Sequence, residues 1–503
     1  MSVCLARLTV ASLALALFCA FPGESIAQYD GSADAPGELK TGFDSITPEQ
    51  AEEWLSVLAG PTFAGRGTGQ AGFMKAAHWV AGKVAEFGLE PMGEGGTYFQ
   101  MMPFARATAE TEQSKMTVGD SLTIEAEGNL GFERFVGQPL VEGKVVFVRM
   151  GADSPALADD VQLEEKVVLY FADDANAFQA ATAIAKKRPA ASFRIVENVP
   201  KTSAQSVLAG GKTRSTSLSG TISKAAALRI IKSVGGDEKW FDLAAKNQKQ
   251  VVSIDKNAKI EIRIHEEAAA YPNVCAWIEG SDPDLRNEYI VIGAHLDHLG
   301  KRGDTIYYGA DDNGSGSTAV LSIARAIAEN PVKPKRSVLF IWFTGEEMGL
   351  LGSAYYCDHP LLPLEKMVCM FNIDMVGRNE EKEGEPANNN VKSIHLIGSK
   401  QGHPELHNVI MRANKFVNFE FEYDEESVFG RSDQANFYRK AQTSVAFLFG
   451  GFHPDYHQPS DQPAKINFDK IASAARLYYL SIYFAAEHGP FPLPPAKDAA
   501  KAQ

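Results

Sequence analysis

YIVIGAHLDHLGKRGDTIYYGADDNGSG, Tyr289 to Gly316, is the stretch whose reading decides the fold. It opens on an apolar, β-branched run, Tyr289 to Ala294, of the kind that forms a strand buried on both faces. The run ends in His295-Leu296-Asp297, and a glycine-spaced acidic turn then leads into an apolar helical segment. Strand, polar turn and helix are the repeating unit of an α/β sheet. Ligands in such sheets gather beyond the C-terminal ends of the strands. A histidine and carboxylates delivered to that edge are what a hydrolytic metal site requires.

Downstream the unit recurs. Apolar runs predict strands at Ser337 to Phe343, Met367 to Ile373, Ser393 to Ile397 and Ser444 to Phe449. Helical periodicity falls at Ser317 to Glu329, Pro404 to Phe416, Ser432 to Arg439 and Phe468 to Ala486. The fold class expected is α/β, with a mixed, mostly parallel central sheet flanked by helices. Upstream, Thr47-Pro48 reads as an N-cap and first helical proline before Ala51 to Leu58, and a second helix runs from Ala71 to Phe87. Between them, Phe63 to Gly69 is glycine-rich. It lacks a preceding strand and a Gly-Lys-Ser/Thr ending, so it reads as a tight loop rather than a phosphate cradle.

The polar residues fall repeatedly at strand ends. His295 and Asp297 follow the first strand, Glu346 and Glu347 follow Phe343, and Asp374 follows Ile373. His457 follows the strand ending at Phe449, and Asp312 lies in the turn before the Ser317 helix. Two carboxylates directly beyond a strand as apolar as Leu339 to Phe343 are costly unless a cation or hydrogen bonds compensate them. Imidazole and carboxylate suit zinc, and charge favours two ions: four positive charges meet the three negative ones of Asp312, Glu347 and Asp374. His298, close in sequence to His295, reads as structural support or a pocket wall ahead of a metal ligand.

These motifs resemble the co-catalytic di-zinc aminopeptidases, the superfamily that includes glutamate carboxypeptidase II and the transferrin receptor. The residues that carry the resemblance are His295-Leu296-Asp297, Asp311-Asp312-Asn313-Gly314-Ser315-Gly316, Thr344-Gly345-Glu346-Glu347, Ile373-Asp374-Met375 and Tyr456-His457. It covers Thr47 to Ala105 and Glu261 to Ala486 and implies a zinc exopeptidase fold with two Zn2+ per chain. By the same resemblance Asp312 bridges the ions, His295 and Asp374 complete one site, and Glu347 and His457 complete the other. Glu346 is then the general base, Asp297 orients His295 through its second ring nitrogen, and Tyr456 helps stabilise the oxyanion. The implied substrates are peptides with a free N-terminus. A carboxypeptidase or dipeptidase on the same scaffold is the alternative, with Arg378 and Arg431 as anchors for a substrate carboxylate. A non-catalytic receptor-like member would have lost ligands or base, and all are present here.

The chain of 503 residues, 45% apolar and 22% charged, exceeds one ordinary domain. Residues 1–27 read as a signal peptide: Arg7, an apolar stretch Leu8 to Phe21, and Ser25-Ile26-Ala27 before a cleavage at Ala27. No later run is long enough to span a membrane, so an exported protein, periplasmic or secreted, is expected. Residues 28–107 and 262–488 form the peptidase domain. Residues 108–261, short strands between Gly, Asp and Ser turns, form an inserted β-rich module that resembles, more weakly, a protease-associated domain. Residues 489–503 read as a disordered tail. The formal charge of −14 argues against a nucleic-acid partner. Cys275, Cys357 and Cys369, left after the leader, cannot all pair; a Cys357–Cys369 bridge and buried thiols are both open.

Overall fold

A computed structural model of the chain describes residues 28–150, 157–173, 176–202, 205–208, 217–238, 250–382 and 386–491. The leader read over 1–27 and residues 492–503 of the tail read over 489–503 lie outside the described residues; the tail's first residues are instead held by the fold, the Gly489 carbonyl accepting from Arg336 and the Phe491 carbonyl from Ser444.

After a short helix, Lys40–Ser45, come two longer ones, α1 (Pro48–Leu58) and α2 (Ala71–Glu86). Thr47 caps α1 by accepting from the Gln50 amide at 3.3 Å, with proline at the first helical position as expected. Two long strands, β1 (Phe99–Ala109) and β2 (Ile264–Ile278), follow, and then β3 (Tyr289–His295), α3 (Gly316–Glu329) and β4 (Ser337–Phe343). Beyond them come α4 (Leu351–Asp358), β5 (Met367–Asp374), β6 (Ser393–Ile397), α5 (Pro404–Asn414), β7 (Glu420–Glu422), β8 (Val445–Phe449) and α6 (Phe468–His488).

The sheet runs β7-β6-β8-β5-β3-β4-β2-β1, with Gln205–Leu208 on the outer edge of β1. Its centre, β8-β5-β3-β4, is parallel, whereas β2 and β1 on one flank and β6 on the other join antiparallel. This is the expected mixed sheet, with its parallel character concentrated where the chemistry sits. The chain leaves β3 for β4 on one side and returns to β5 on the other. The crevice beyond the end of β3 is therefore a topological switch point.

Side-chain alternation explains why these strands are central. Ile290, Ile292, Val338, Phe340 and Trp342 pack under α1, α2, α3, α5 and α6. Tyr289, Val291, Leu339, Ile341 and Phe343 point the opposite way, toward Tyr356 and Cys357 of α4 and toward Phe437. Each large apolar side chain buried this way contributes roughly 1.5–3 kcal/mol. That burial anchors the strand ends that carry carboxylates.

β1 and β2 form an antiparallel ribbon from Phe99↔Val274 to Ala109↔Ile264. Residues from Lys115 to Glu261 leave the ribbon's far end and build a second, eight-stranded sheet over its own apolar core. The helix expected over Ser432 to Arg439 is present from Gln434: α-helical over Gln434–Asn436, it widens into a π-helix over Phe437–Ala441. Ser432 and Gln434 at its start are tied to the sheet through hydrogen bonds with Asn372. All three cysteines are buried free thiols, and burial raises each thiol pKa.

Candidate metal centre

The parallel register aligns the strand ends: His295 pairs with Phe343 across β3 and β4, and Asp374 pairs with Phe449 across β5 and β8. Glu346 and Glu347 therefore emerge beside His295, and His457 arrives on the loop after β8. Asp312 sits in the turn that starts α3. A side chain at Gly316 would stand 2.6 Å from the Ile373 carbonyl, so glycine there lets α3 begin against the end of β5. Met375 and His457 both adopt left-handed backbone, with φ of 55° and 57°. Such residues cost on the order of 1 kcal/mol each and persist where the surroundings enforce them.

Asp312 lies at the middle of the group. Its Oδ1 is 3.4 Å from His295 Nε2, and its Oδ2 is 3.0 Å from His457 Nε2. On the first side His295 Nε2 is also 3.2 Å from Asp374 Oδ1. On the second, His457 Nε2 is 3.2 Å from Glu347 Oε2. Glu346 Oε2 stands 4.0 Å from His295 Nε2. All six residues expected around the two ions converge.

The frame around them comes from residues that the sequence alone did not single out. Arg66, fully buried, donates from Nε to the Leu296 carbonyl (2.8 Å) and from Nη1 to the carbonyls of Leu58 (2.7 Å) and Tyr308 (2.9 Å). Its Nη2 reaches the Gly309 carbonyl at 2.7 Å. One guanidinium thus ties the end of α1 to both turns that carry His295 and Asp312. The Asp461 carboxylate accepts from the amides of Asp311 (3.0 Å) and Asp312 (3.2 Å). Asp311 itself faces away from the histidine pair: its Oδ1 accepts from the Gly377 amide and its Oδ2 is 3.2 Å from His453 Nε2. An arginine among glycines and a histidine after an apolar strand were visible signals, but their partners are hundreds of residues away.

One expectation is corrected. The Asp297 carboxylate does not orient His295; the backbone carbonyl of Asp297 meets His295 Nδ1 at 3.0 Å, while Asp297 Oδ1 is 4.0 Å away. The two-residue turn brings the carbonyl under the ring. The carboxylate is drawn instead to the Glu346 amide (3.1 Å) and the Thr68 hydroxyl (3.0 Å). His298, read as support or a pocket wall, lies inside the group, its Nδ1 2.8 Å from Glu347 Oε1 and 3.6 Å from Asp312 Oδ2. Tyr456 stacks on His457 with centroids 3.9 Å apart, and its hydroxyl accepts from Arg431 at 3.2 Å. Arg378 already engages Asp455 and Glu381, each at 2.9 Å.

Electrostatics sort the acids. Burial raises the Asp312 carboxyl, but His298, His295 and His457 outweigh it and hold the group well below the usual range. Burial and Asp312 push Glu347 upward, and the imidazoles of His298 and His457 bring it down to about 2. His457 rises to about 10: burial opposes the charge, and Asp312 and Glu347 prevail. Glu346 goes the other way. Burial holds it well above the ordinary carboxylate range, with His295 opposing and Glu347, Asp374 and Asp433 adding. Burial likewise lifts Asp433 to about 7.

The donor set fits divalent zinc on an observation independent of charge. Glu347 Oε1 and both ring nitrogens of His298 are buried without an aligned hydrogen bond, although the two residues nearly touch. Among the described residues, His295, Asp312 and Asp374 form one group able to hold an ion, and His298, Asp312 and Glu347 form another. A third gathering, Glu380, His395 and Glu422, already contains a cation. There Lys382 Nζ lies 3.1 Å from Glu380, 2.9 Å from Glu422 and 3.2 Å from Asp424.

Imidazoles and carboxylates from four adjacent parallel strand ends, converging at a switch point, define the zinc exopeptidase fold. Residues 273–481, the segment holding every histidine and carboxylate of the group, match the model of Peptidase family M28. Aminopeptidase YwaD of Bacillus subtilis (strain 168) is 29% identical over 187 residues, 36% of this chain and 38% of the relative. Leupeptin-inactivating enzyme 1 of Streptomyces exfoliatus is 37% identical over 111 residues, 22% of this chain and 23% of the relative. The aligned region spans less than half the length of these curated relatives. Among solved structures, an aminopeptidase from Aneurinibacillus sp. strain AM-1 superposes with a TM-score of 0.52 at 19% identity, covering 91% of this chain and 98% of that one. BSAP, a zinc aminopeptidase from Bacillus subtilis, gives 0.51 at 20% identity, covering 90% and 96%. At that identity the likeness is one of fold.

Proposed function

We propose that the protein is an exported di-zinc aminopeptidase that removes N-terminal residues from peptides. The observation that carries this reading is the split of Asp312, whose two oxygens face two different histidines, His295 and His457. A carboxylate so placed could serve two cations, one through each oxygen. His295 and Asp374 would hold one ion, and Glu347 and His457 the other. The ions, when bound, supply polarisation of the scissile carbonyl and acidification of a water molecule.

The chain's own residues do the rest. Glu346, kept proton-hungry by burial, takes the proton of the attacking water and returns it to the leaving amine. Asp297 fixes Glu346 by accepting its amide N–H, a positioning role. The Tyr456 hydroxyl, which burial keeps protonated, can donate to a developing oxyanion while Arg431 donates to it from behind. Names of the relatives, aminopeptidase and leucine aminopeptidase, agree with this reading. Of the two anchors that a carboxypeptidase would use, Arg378 is already committed to Asp455 and Glu381. Among the described residues no helix is long and apolar enough to cross a membrane, and we read residues 1–27 as the export leader.

The test pairs two variants. Glu346→Gln keeps two zinc ions per chain and loses nearly all hydrolysis of an amino-acid anilide; Asp312→Asn loses metal. Wild-type turnover in the first, or two ions in the second, refutes the assignment. An N-blocked peptide should resist the enzyme, and its cleavage would turn the reading toward a carboxypeptidase. N-terminal sequencing of the exported protein should start at Gln28.

A further inference from the structure

We infer that His298 is a sixth protein ligand of the metal centre, and that it makes the two ions unequal. This rests on the two-ion reading above. His298 is buried, with 1% of its surface exposed, and neither ring nitrogen has a hydrogen-bond partner among the described residues. A buried imidazole without a partner is costly unless something else takes its lone pair. Its Nδ1 points at Glu347 Oε1 from 2.8 Å, and the approach is too poorly aligned to count as a hydrogen bond. Asp312 Oδ2 is 3.6 Å from the same nitrogen.

His457 Nε2 completes the set, 3.0 Å from Asp312 Oδ2 and 3.2 Å from Glu347 Oε2. Ligands at zinc bond lengths of ~2.0–2.1 Å in a tetrahedron stand about 3.3 Å apart, close to the mean of these separations. His298, Asp312 and Glu347 thus form one group of donors, and His457 faces the same two carboxylates from the other side. The His298 ring cannot turn away from this group. The His298 amide donates to the Arg66 carbonyl at 3.3 Å, beside a bridge between His298 and Gly67. The ring lies flat on Gly309, where an added Cβ would stand 2.4 Å from the His298 Cγ.

The consequence is a division of labour. The ion among Asp312, Glu347, His457 and His298 has four protein donors and is held tightly. The ion among Asp312, His295 and Asp374 has three and keeps a position open, the usual difference between closed and catalytic zinc sites. Losing a donor or its support typically costs 10–100-fold in metal affinity.

The experiment is a chelator titration of the zinc holoenzyme with His298→Ala and His298→Gln beside the wild type, read as zinc per chain and as the absorption spectrum after cobalt replacement. The expected result is a tight and a weaker ion in the wild type, with the tight one weakened at least tenfold and its cobalt spectrum altered in both variants. If His298→Gln keeps the tight ion and its spectrum, His298 is only a donor to Glu347 and the inference fails. It fails equally if neither variant changes. A wild type that binds fewer than two ions instead overturns the two-ion reading itself. Should the variants not fold, X-ray absorption on the wild type decides: three imidazoles shared by two ions support the assignment, and two refute it.

Discussion

Replacing Arg66 with methionine should both destabilise the protein and strip its metal. The guanidinium makes four hydrogen bonds of 2.7–2.9 Å to backbone carbonyls, and a charged donor contributes about 1.5–2 kcal/mol net per bond. Against this stands the cost of burying the charge, visible in a pKa pulled down to about 10, chiefly by burial with Asp461 and Asp312 opposing. That depression corresponds to roughly 3 kcal/mol. The balance is a loss of about 3–5 kcal/mol, a third or more of the ~5–15 kcal/mol that holds most proteins folded. Gly309 retains a second donor, the Gly314 amide at 3.2 Å, which keeps the loss toward the lower end. Arg66→Lys keeps the charge but loses the planar fork, so it should recover about half. Urea unfolding of the metal-free protein reads the stability term, and zinc per chain reads the loosening of the two turns. An Arg66→Met protein within about 0.5 kcal/mol of the parent, with full zinc, would show that Arg66 does not tie the turns.

Three further outcomes follow from buried charges elsewhere. Lys470 is fully buried and its pKa is lowered to about 8, mainly by burial. The unfolded chain holds that proton more tightly, so stability should rise by up to about 3 kcal/mol as pH climbs from 8 to 10.5; Lys470→Met should flatten that rise in a denaturant series. His403, lowered to about 4 by burial, stays neutral when folded, so its contribution is present above pH 6.5 and lost as pH falls toward 4. His403→Gln should shrink the gap between urea midpoints at pH 7 and pH 4.5, and an unchanged gap would remove His403 from acid sensitivity. Asp311→Asn should cost about 2 kcal/mol through its Gly377 amide bond while leaving zinc per chain intact, unlike Asp312→Asn.

How far the chain could be read depended on the range of the interaction. Thr47 capping α1 and the apolar runs of β3, β4, β5 and β8 are local properties, and the structure has them where the pattern put them. β2 was not legible. Glu266-Glu267-Ala268-Ala269-Ala270 is built of residues that favour helix, and pairing with β1 along its whole length imposes the strand. The site residues were legible because strand ends concentrate them. Their support was not: the Arg66 to Gly309 bond and the caps from Asp461 join segments separated by 243 and about 150 residues. Asp297 shows the limit most sharply. Spacing placed it beside His295, but only the turn geometry decides that its carbonyl, not its carboxylate, reaches the ring.

Asp311 and Asp312 are adjacent, equally acidic and both buried, so composition cannot say which one faces a metal. Their donors can. Asp311 meets a backbone amide and a second-line imidazole, and Asp461 meets two backbone amides, so each of these charges is met by fixed dipoles. Asp374 is intermediate, with one oxygen on the Ser432 hydroxyl and the other on His295. Asp312 and Glu347 have imidazoles at their free oxygens, and those groups carry charge only by taking up protons. The fold therefore answers its structural acids with amides that cannot leave and its site acids with imidazoles that can give up a proton. A divalent cation held by such a site would take the place of protons on the imidazoles and leave intact the backbone bonds that hold the turns. Glu346, which our proposal makes the proton acceptor, has neither an amide nor a close imidazole on its carboxylate: the nearest ring nitrogen, His295 Nε2, stands 4.0 Å away.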